Sequence, residues 1–536
     1  MLSEDRTWEI VESYFSQYGP VHHQIESFNN FITHGLERII NEEPDLFLKP
    51  KEKDAKYTSY RISFSDVHVP LPTVTEEDRT TRKYMPAEAR IRDLTYDAPI
   101  LTTVTETIET ADKPPIVNVH RRVSIGRIPI MLRSAKCHLA KMTKKDRIKA
   151  GECEFDHGGY FVVKGKERVL IAQIRGNYNT VMVLEQRPTL NEKFKFVADV
   201  RSMSEETGHS VLLSVMLGID DRTLVATLPY ISAPIPIGIV FKAMGFVKEQ
   251  DIRKFINLEC KQASRYLRYI ILDSMVVNEK TDGEPLFTEE NPDESWEDAD
   301  EETREEYHNR MTQRKALLYI GQYTKHTLQE TERLDYAKQI IDGELFPHMG
   351  ILTTDRERAY YWGYMVNKLL RTATGMRQED DRDHYKNKRV EGAGLLCYEL
   401  TRQLFKKFKD AILTGIEKKK QYPDAMSLIS KLMIMTKGFR HNFSTGNWGV
   451  PKNSYIRAGV SQILSRLSFG ASVSNLRRLN IPVGKEAKNS KIRQINPSQV
   501  MFICPAECFD PNTPILTWDG IVKKSRGHCH RRLSDR

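Results

Sequence analysis

The spacing of apolar residues changes character along the chain, and this limits the fold more than any other feature. Over residues 8–42, Ile10, Tyr14, Phe15, Ile25, Phe28, Phe31, Ile32, Leu36 and Ile39 recur mostly at three- and four-residue steps. That is the period of a helix with one buried face. Gly19-Pro20 divides the run into two helices. Residues 58–135 alternate instead and are enriched in Thr, Val, Ile and Tyr, as strands are. Gly158-Gly159 predicts a turn, with strands at 160–163 and 169–171, and further strands fall at 212–216 and 224–228. From Ile237 the helical period returns, with amphipathic helices expected at 360–372 and 395–416 and continued over 425–435. Residues 278–306 are acidic and poor in apolar side chains, which reads as a flexible loop or insertion. After Gly438 the chain is rich in Gly, Asn and Ser. Together these segments predict a mixed α/β (α+β) multidomain chain. Its 536 residues are too many for one core and suggest about three domains.

Charge bears on partners. The net charge is +9, and basic residues cluster at 141–147, 406–409, 418–420 and 477–493. Each cluster alone reads as a solvated helix face; several together fit a polyanionic partner. The seven cysteines are scattered, odd in number and without a Cys-x-x-Cys pair. This predicts a reducing, intracellular setting and no disulfide framework. The start, Met1-Leu-Ser-Glu-Asp-Arg6, lacks a secretory pattern, and no apolar run is long enough to span a bilayer, so no membrane partner is expected. The sequence holds no Gly-x-x-x-x-Gly-Lys phosphate loop and no Gly-x-Ser-x-Gly elbow, which disfavours a free kinase or hydrolase.

Two candidate sites follow from residue chemistry. Arg440, His441, Arg457, Arg466, Arg477, Arg478, Lys491, Arg493 and Gln494 sit among Gly, Asn and Ser. Such loops let backbone approach a phosphate while Arg supplies paired donors. Trp448 and Phe469 could stack on bases there, or pack in a core. Intramolecular pairing of the arginines is the alternative. Asp380, Asp381, Asp383 and His384 resemble a metal site, but Arg377, Arg382, Lys388 and Arg389 are at hand to pair with the acids, so no metal is expected there. An irregular Cys504, Cys508, Cys529 and His528 or His530 set is a weaker zinc alternative.

Several blocks resemble the second-largest, beta-type subunit of multisubunit DNA-directed RNA polymerases, in a eukaryotic, archaeal or giant-virus-like form. They run in the family's order. Gln24-Ile-Glu-Ser-Phe-Asn-Asn-Phe31 comes first, followed by Pro86-Ala-Glu-Ala-Arg-Ile-Arg-Asp-Leu-Thr-Tyr96 and Ile125-Gly-Arg-Ile-Pro-Ile-Met-Leu-Arg-Ser134. Next are Glu154-Phe-Asp-His-Gly-Gly-Tyr-Phe-Val-Val-Lys-Gly165, Asp380-Asp-Arg-Asp-His-Tyr-Lys-Asn-Lys-Arg389 and Thr445-Gly-Asn-Trp-Gly449. The resemblance covers roughly residues 20–507. It departs where Gln173 is followed by Ile174 rather than Glu.

The resemblance implies a protrusion domain at 1–175, a lobe at 176–388 with an acidic insertion near 278–306, a protrusion return at 389–432 and a fork at 433–507. It implies partners in the largest polymerase subunit and other subunits, and contacts with template DNA, downstream DNA and the RNA–DNA hybrid. Mg2+ would be bound mainly by the largest subunit and none by this chain, which carries no Asp-x-Asp-x-Asp loop and would not be catalytic alone. The setting would be the nucleus, or host cytoplasm or virion for a viral protein.

Cys504-Pro-Ala-Glu507 resembles that family's Cys-Pro-Ala-Glu-Thr-Pro-Glu-Gly signature. From Cys508, however, Phe-Asp-Pro-Asn-Thr-Pro-Ile-Leu-Thr-Trp-Asp-Gly520 resembles the opening of an intein. The Cys508 thiol would attack the Glu507 carbonyl to form a thioester, and Asp519-Gly520 would turn a hairpin. Residues 508–536 would then be an intein N-terminal fragment with an aberrant tail, from truncation, frameshift or a split intein. The chain would be the precursor half of a splicing pair or a non-functional fragment.

Overall fold

The computed structural model describes residues 4–48, 59–110, 113–186, 193–204, 209–257, 261–277, 301–324, 330–350, 352–418, 425–449, 457–482, 494–500, 503–504, 514–516 and 522–524. The chain divides into two compact units, Met1–Arg175 with Lys388–Arg536, and Gly176–Asn387, against the about three suggested by length.

The first unit is built on a four-stranded antiparallel sheet ordered Leu46–Leu48, Ser59–His68, Asp97–Thr110, Lys113–Pro129. The N-terminal helical run breaks as expected, into Glu4–Tyr18 and His22–Asn30, with Gly19 at φ +77°. The long helix Ala393–Lys418 buries Phe405 and Phe408 against Phe64 of the sheet. It also crosses the His22–Asn30 helix where a Cβ on Gly394 would collide with the Ser27 carbonyl. Phe28, Phe161, Phe443 and Trp448 form a chain of rings 4.8–5.3 Å apart through the core.

The expected strands at 160–171 form a hairpin, Phe161–Val163 with Lys166–Leu170. Gly158-Gly159, where a turn is expected ahead of these strands, has positive φ at both residues, and the hairpin itself turns at Lys164-Gly165, also both with positive φ. That conformation matches the right-handed strand twist, and Gly165 adopts it without a Cβ penalty. The strand Ser461–Ile463 adds to this hairpin antiparallel. The Gly-, Asn- and Ser-rich region is less loop-like than its composition suggests. Its first part is the helix Ile434–Thr445, closed by Gly446 at φ +75°, and another helix spans Phe469–Arg477.

The second unit has a five-stranded antiparallel sheet, Met182–Glu185, Phe194–Met203, Ser210–Gly218, Leu224–Thr227, Ile235–Pro236, with helices after it. Its helix Asp355–Ala373 starts from a capping box between Thr354 and Glu357. Trp362 is fully buried on its inner face, and a Cβ on Gly363 would collide with the Phe255 carbonyl. Of the acidic stretch, 278–300 lies outside the described residues. Residues 301–306 are not loop but the first turns of the helix Glu301–Gly321, where Glu301 and Glu302 face the positive end of the helix dipole. No helix among the described residues is long and apolar enough to cross a membrane.

Candidate nucleic-acid interface

Three of the basic residues expected to face phosphate, Arg440, Arg457 and Arg466, are each held in an ion-pair network of the first unit. Arg466 follows the strand Ser461–Ile463 and is aimed back across the hairpin. Its Nε donates to Glu167 Oε2 at 2.7 Å, and its Nη2 to Glu167 Oε1 at 3.0 Å and Asp156 Oδ2 at 3.2 Å. Arg90 meets the same group from the helix Pro86–Ile91. It donates to both oxygens of Glu152 at 2.9–3.0 Å, to Glu167 at 2.9 Å and to the Tyr160 hydroxyl at 2.7 Å. The Tyr160 hydroxyl in turn donates to Asp156. Both guanidiniums sit over the Tyr160 ring, Arg466 at 5.1 Å and Arg90 at 5.9 Å.

Burial raises the Glu152 carboxyl above its ordinary range, with Arg90 partly offsetting it. Burial, with the Asp156 charge added, drives the Tyr160 hydroxyl well above its usual range, so it stays a donor. Three carboxylates thus meet two guanidiniums beside a cleft of about 270 Å³, lined also by His157 and Phe469. The balance there suits a structural clasp and opposes a phosphate.

The second network joins Arg440 to the sheet. Its Nη2 donates to Asp97 Oδ2 at 3.3 Å, while Arg127 Nε donates to Asp97 Oδ1 at 2.5 Å. The Arg127 backbone N–H donates to Thr436, and a Cβ on Gly126 would lie 2.5 Å from that of Met435, so helix and strand touch directly. In the third, Arg457 donates to Glu391 at 2.6 Å, shared with Arg175 at 2.6 Å, and lies 3.6 Å from Glu399. Arg477 donates to the Pro20 carbonyl and covers the Phe15 ring at 5.4 Å. Arg478 is half-buried and Gln494 exposed. Lys491 and Arg493 lie outside the described residues. Trp448 does not stack on a base: it is buried, and its indole N–H donates to the Leu396 carbonyl at 2.9 Å. Phe469 is exposed.

The acids that hold these arginines were not singled out from sequence. Arg90 stands in the block Pro86–Tyr96 quoted above, but 77 residues separate it from Glu167, and only the fold brings them together.

In the second unit, Asp380 is ion-paired to Arg377, lies 3.1 Å from Lys368 and accepts the Val183 N–H at 2.9 Å. Burial would raise its carboxyl, but these donors outweigh burial and hold it down at about 2. Asp381 accepts from the Asp383 N–H, and His384 Nδ1 from the Lys386 N–H. Among the described residues no group of three or more His, Cys, Asp or Glu is placed to hold a metal ion. Such residues do not fit a Mg2+ site. Cys508, Glu507 and Asp519-Gly520 lie outside the described residues. The strands flanking that turn position, Pro514–Leu516 and Val522–Lys524, pair antiparallel.

Residues 19–440 match the RNA polymerase beta subunit family, and residues 462–512 match domain 3 of RNA polymerase Rpb2. The chain belongs to the RNA polymerase beta-subunit family. DNA-directed RNA polymerase II subunit 2 of Arabidopsis thaliana is 34% identical over 97% of this chain and 43% of its own length. A probable RPB2 homolog of Invertebrate iridescent virus 6 is 36% identical over 94% of the chain and 44% of its own. Subunit Rpo2 of Saccharolobus shibatae is 30% identical over 97% and 41%. The chain therefore spans less than half the length of these beta-subunit relatives. The domain 3 match runs on to residue 512, past the Glu507–Cys508 junction.

Proposed function

We propose that this chain is the N-terminal part of the second-largest subunit of a DNA-directed RNA polymerase, forming one wall of the cleft that holds template, hybrid and downstream DNA. The observation that carries this is the family match over residues 19–440 and 462–512, in one continuous order. In this reading residues 1–175 and 389–432 are the protrusion, 176–388 the lobe and 433–507 the fork. Catalysis belongs to the assembled enzyme, in which the largest subunit holds the Mg2+. The arginines from Arg440 to Arg478 then divide between two tasks. Arg440, Arg457 and Arg466 fasten the fork segment through Asp97, Glu391 and Glu167, and the exposed Arg477, which donates to a carbonyl rather than an acid, faces the backbone of nucleic acid. Contacts of that kind are tolerant of sequence and sensitive to salt.

The test is affinity purification of the tagged chain from its native cells, followed by nucleotide incorporation on an RNA–DNA hybrid scaffold. Recovery of a larger polypeptide with an Asp-x-Asp-x-Asp loop, together with Mg2+-dependent extension, supports the proposal. Recovery of the chain by itself, without extension, overturns it.

A second reading concerns residues 508–536, favoured by the antiparallel strand pair Pro514–Leu516 and Val522–Lys524. Here Cys508 Sγ attacks the Glu507 carbonyl carbon, the peptide C–N bond breaks, and a thioester and a free Cys508 amine result. A hydroxylamine-cleavable product ending at Glu507, absent in Cys508→Ala, supports it. Equal cleavage in both removes it.

A further inference from the structure

The outer face of the helix Asp355–Ala373 carries Arg356, Tyr360, Tyr364 and Arg371, spaced by four, four and seven residues, so all four share one stripe. Tyr360 is 47% exposed and Tyr364 50%, unusual for rings on a helix whose other face is packed around Trp362. The Tyr360 ring is held edge-on by Phe255 at 4.7 Å and has the Arg356 guanidinium over it at 6.0 Å. Arg356 and Arg371 are exposed and pair with no carboxylate among the described residues, whereas Arg358 and Arg377 close by are tied to Asp355 and Asp380. Glu357, the acid adjoining the stripe, is engaged in the capping box with Thr354.

We infer that this stripe is a stacking platform for single-stranded nucleic acid. The argument is geometric. Four residues of helix rise about 6 Å, so the two rings are offered at a wider interval than the 3.4 Å between stacked bases of a duplex. A duplex keeps its bases covered, whereas a single strand can lay successive bases on Tyr360 and Tyr364. Arg356 and Arg371, about 22 Å apart along the helix, supply positive charge that no carboxylate among the described residues compensates, at either end for the backbone. Stacking uses the ring face that every base offers, so binding is expected to be tolerant of sequence. This inference rests on the proposed polymerase role and adds to it a place where an unpaired strand is held.

The test uses the full chain and an oligothymidylate of about 15 nucleotides, fluorescein-labelled for anisotropy and bromodeoxyuridine-substituted for photocrosslinking. The expected crosslink falls on the tryptic peptide 359–368, which carries both tyrosines. Tyr360→Leu with Tyr364→Leu, keeping apolar volume against Phe255, weakens binding about tenfold and abolishes that crosslink. Crosslinks confined to residues 457–477 overturn the platform and leave the polymerase role standing. Absence of any binding at low salt overturns the platform and counts against the role as well. Unchanged oligonucleotide binding in the folded double variant, with altered self-association instead, reassigns the face to protein and overturns the inference. Should the double variant not fold, the crosslink map of the unaltered chain decides.

Discussion

The arginines around Tyr160 and those on the outer face of the 355–373 helix have the same chemistry in opposite states. Arg90 and Arg466 enclose Tyr160 and are held by Glu152, Asp156 and Glu167. Arg356 and Arg371 also flank tyrosines, yet no carboxylate among the described residues holds them. In the first region the positive charge is used within the fold, and the aromatic ring is buried. In the second no acid among the described residues compensates the charge, and the rings face solvent. An arginine's presence in a basic cluster therefore says little about binding until its partners are known. On the proposed platform, a polyanion is expected at the arginines left without an acid among the described residues.

This contrast can be broken most severely at Arg90. Arg90→Ala leaves the buried Glu152 carboxylate unpaired and is expected to lower stability by about 3–5 kcal/mol in urea unfolding. Survival with a loss under 1 kcal/mol would mean the clasp is dispensable. Next, Asp380→Asn removes the acceptor for Arg377 and Lys368 and should cost about 2 kcal/mol. Because the folded Asp380 titrates low, its contribution is present above the unfolded value near 4 and is lost as pH falls toward 2. The variant should show a flatter fall in stability across that window.

Arg466→Ala, at a partly exposed pair, should cost about 1 kcal/mol. If Arg466 only fastens its segment to Glu167 and Asp156, the salt dependence of oligonucleotide binding stays the same. A shallower dependence would move it into the binding group. The smallest stability change, within about 0.5 kcal/mol, is expected for Arg356→Ser and Arg371→Ser. Each should nonetheless reduce the slope of log affinity against log salt by about 0.7, the single-strand value per phosphate contact.

Periodicity made much of the local structure legible. The break at Gly19-Pro20, the strands of 58–135 and 195–230 and the helices at 360–372 and 395–416 all follow from two- and four-residue spacing, which depends only on neighbours in sequence. Mixed helix and sheet was readable for the same reason. The hairpin turn at Lys164-Gly165 was not read from sequence, because register in the ladder rather than composition selects it. Composition also understated the helix Ile434–Thr445. Gly438 interrupts its sequence pattern but serves close packing, since a Cβ there would collide with Leu404. The arginines between 440 and 478 were identifiable as candidates. That Glu167, Asp97 and Glu391 hold three of them was not, because those partners lie 66 to 343 residues away. The Tyr360–Tyr364 stripe looked like any amphipathic helix until burial separated its two faces.

The first unit is assembled from two stretches of chain with residues 176–387 between them. During synthesis the early stretch leaves the ribosome without the Ala393–Lys418 and Ile434–Thr445 helices that cover Phe28, Phe64 and Phe161. At translation rates of about 5–20 residues per second, roughly 14–54 seconds pass between the emergence of residue 175 and that of residue 445, which completes the cover. The intervening unit has its own core and can fold in that interval. A nascent chain of this design carries an uncovered apolar sheet past a finished neighbour, and its yield in cells depends on what shields that sheet until residue 445 has emerged.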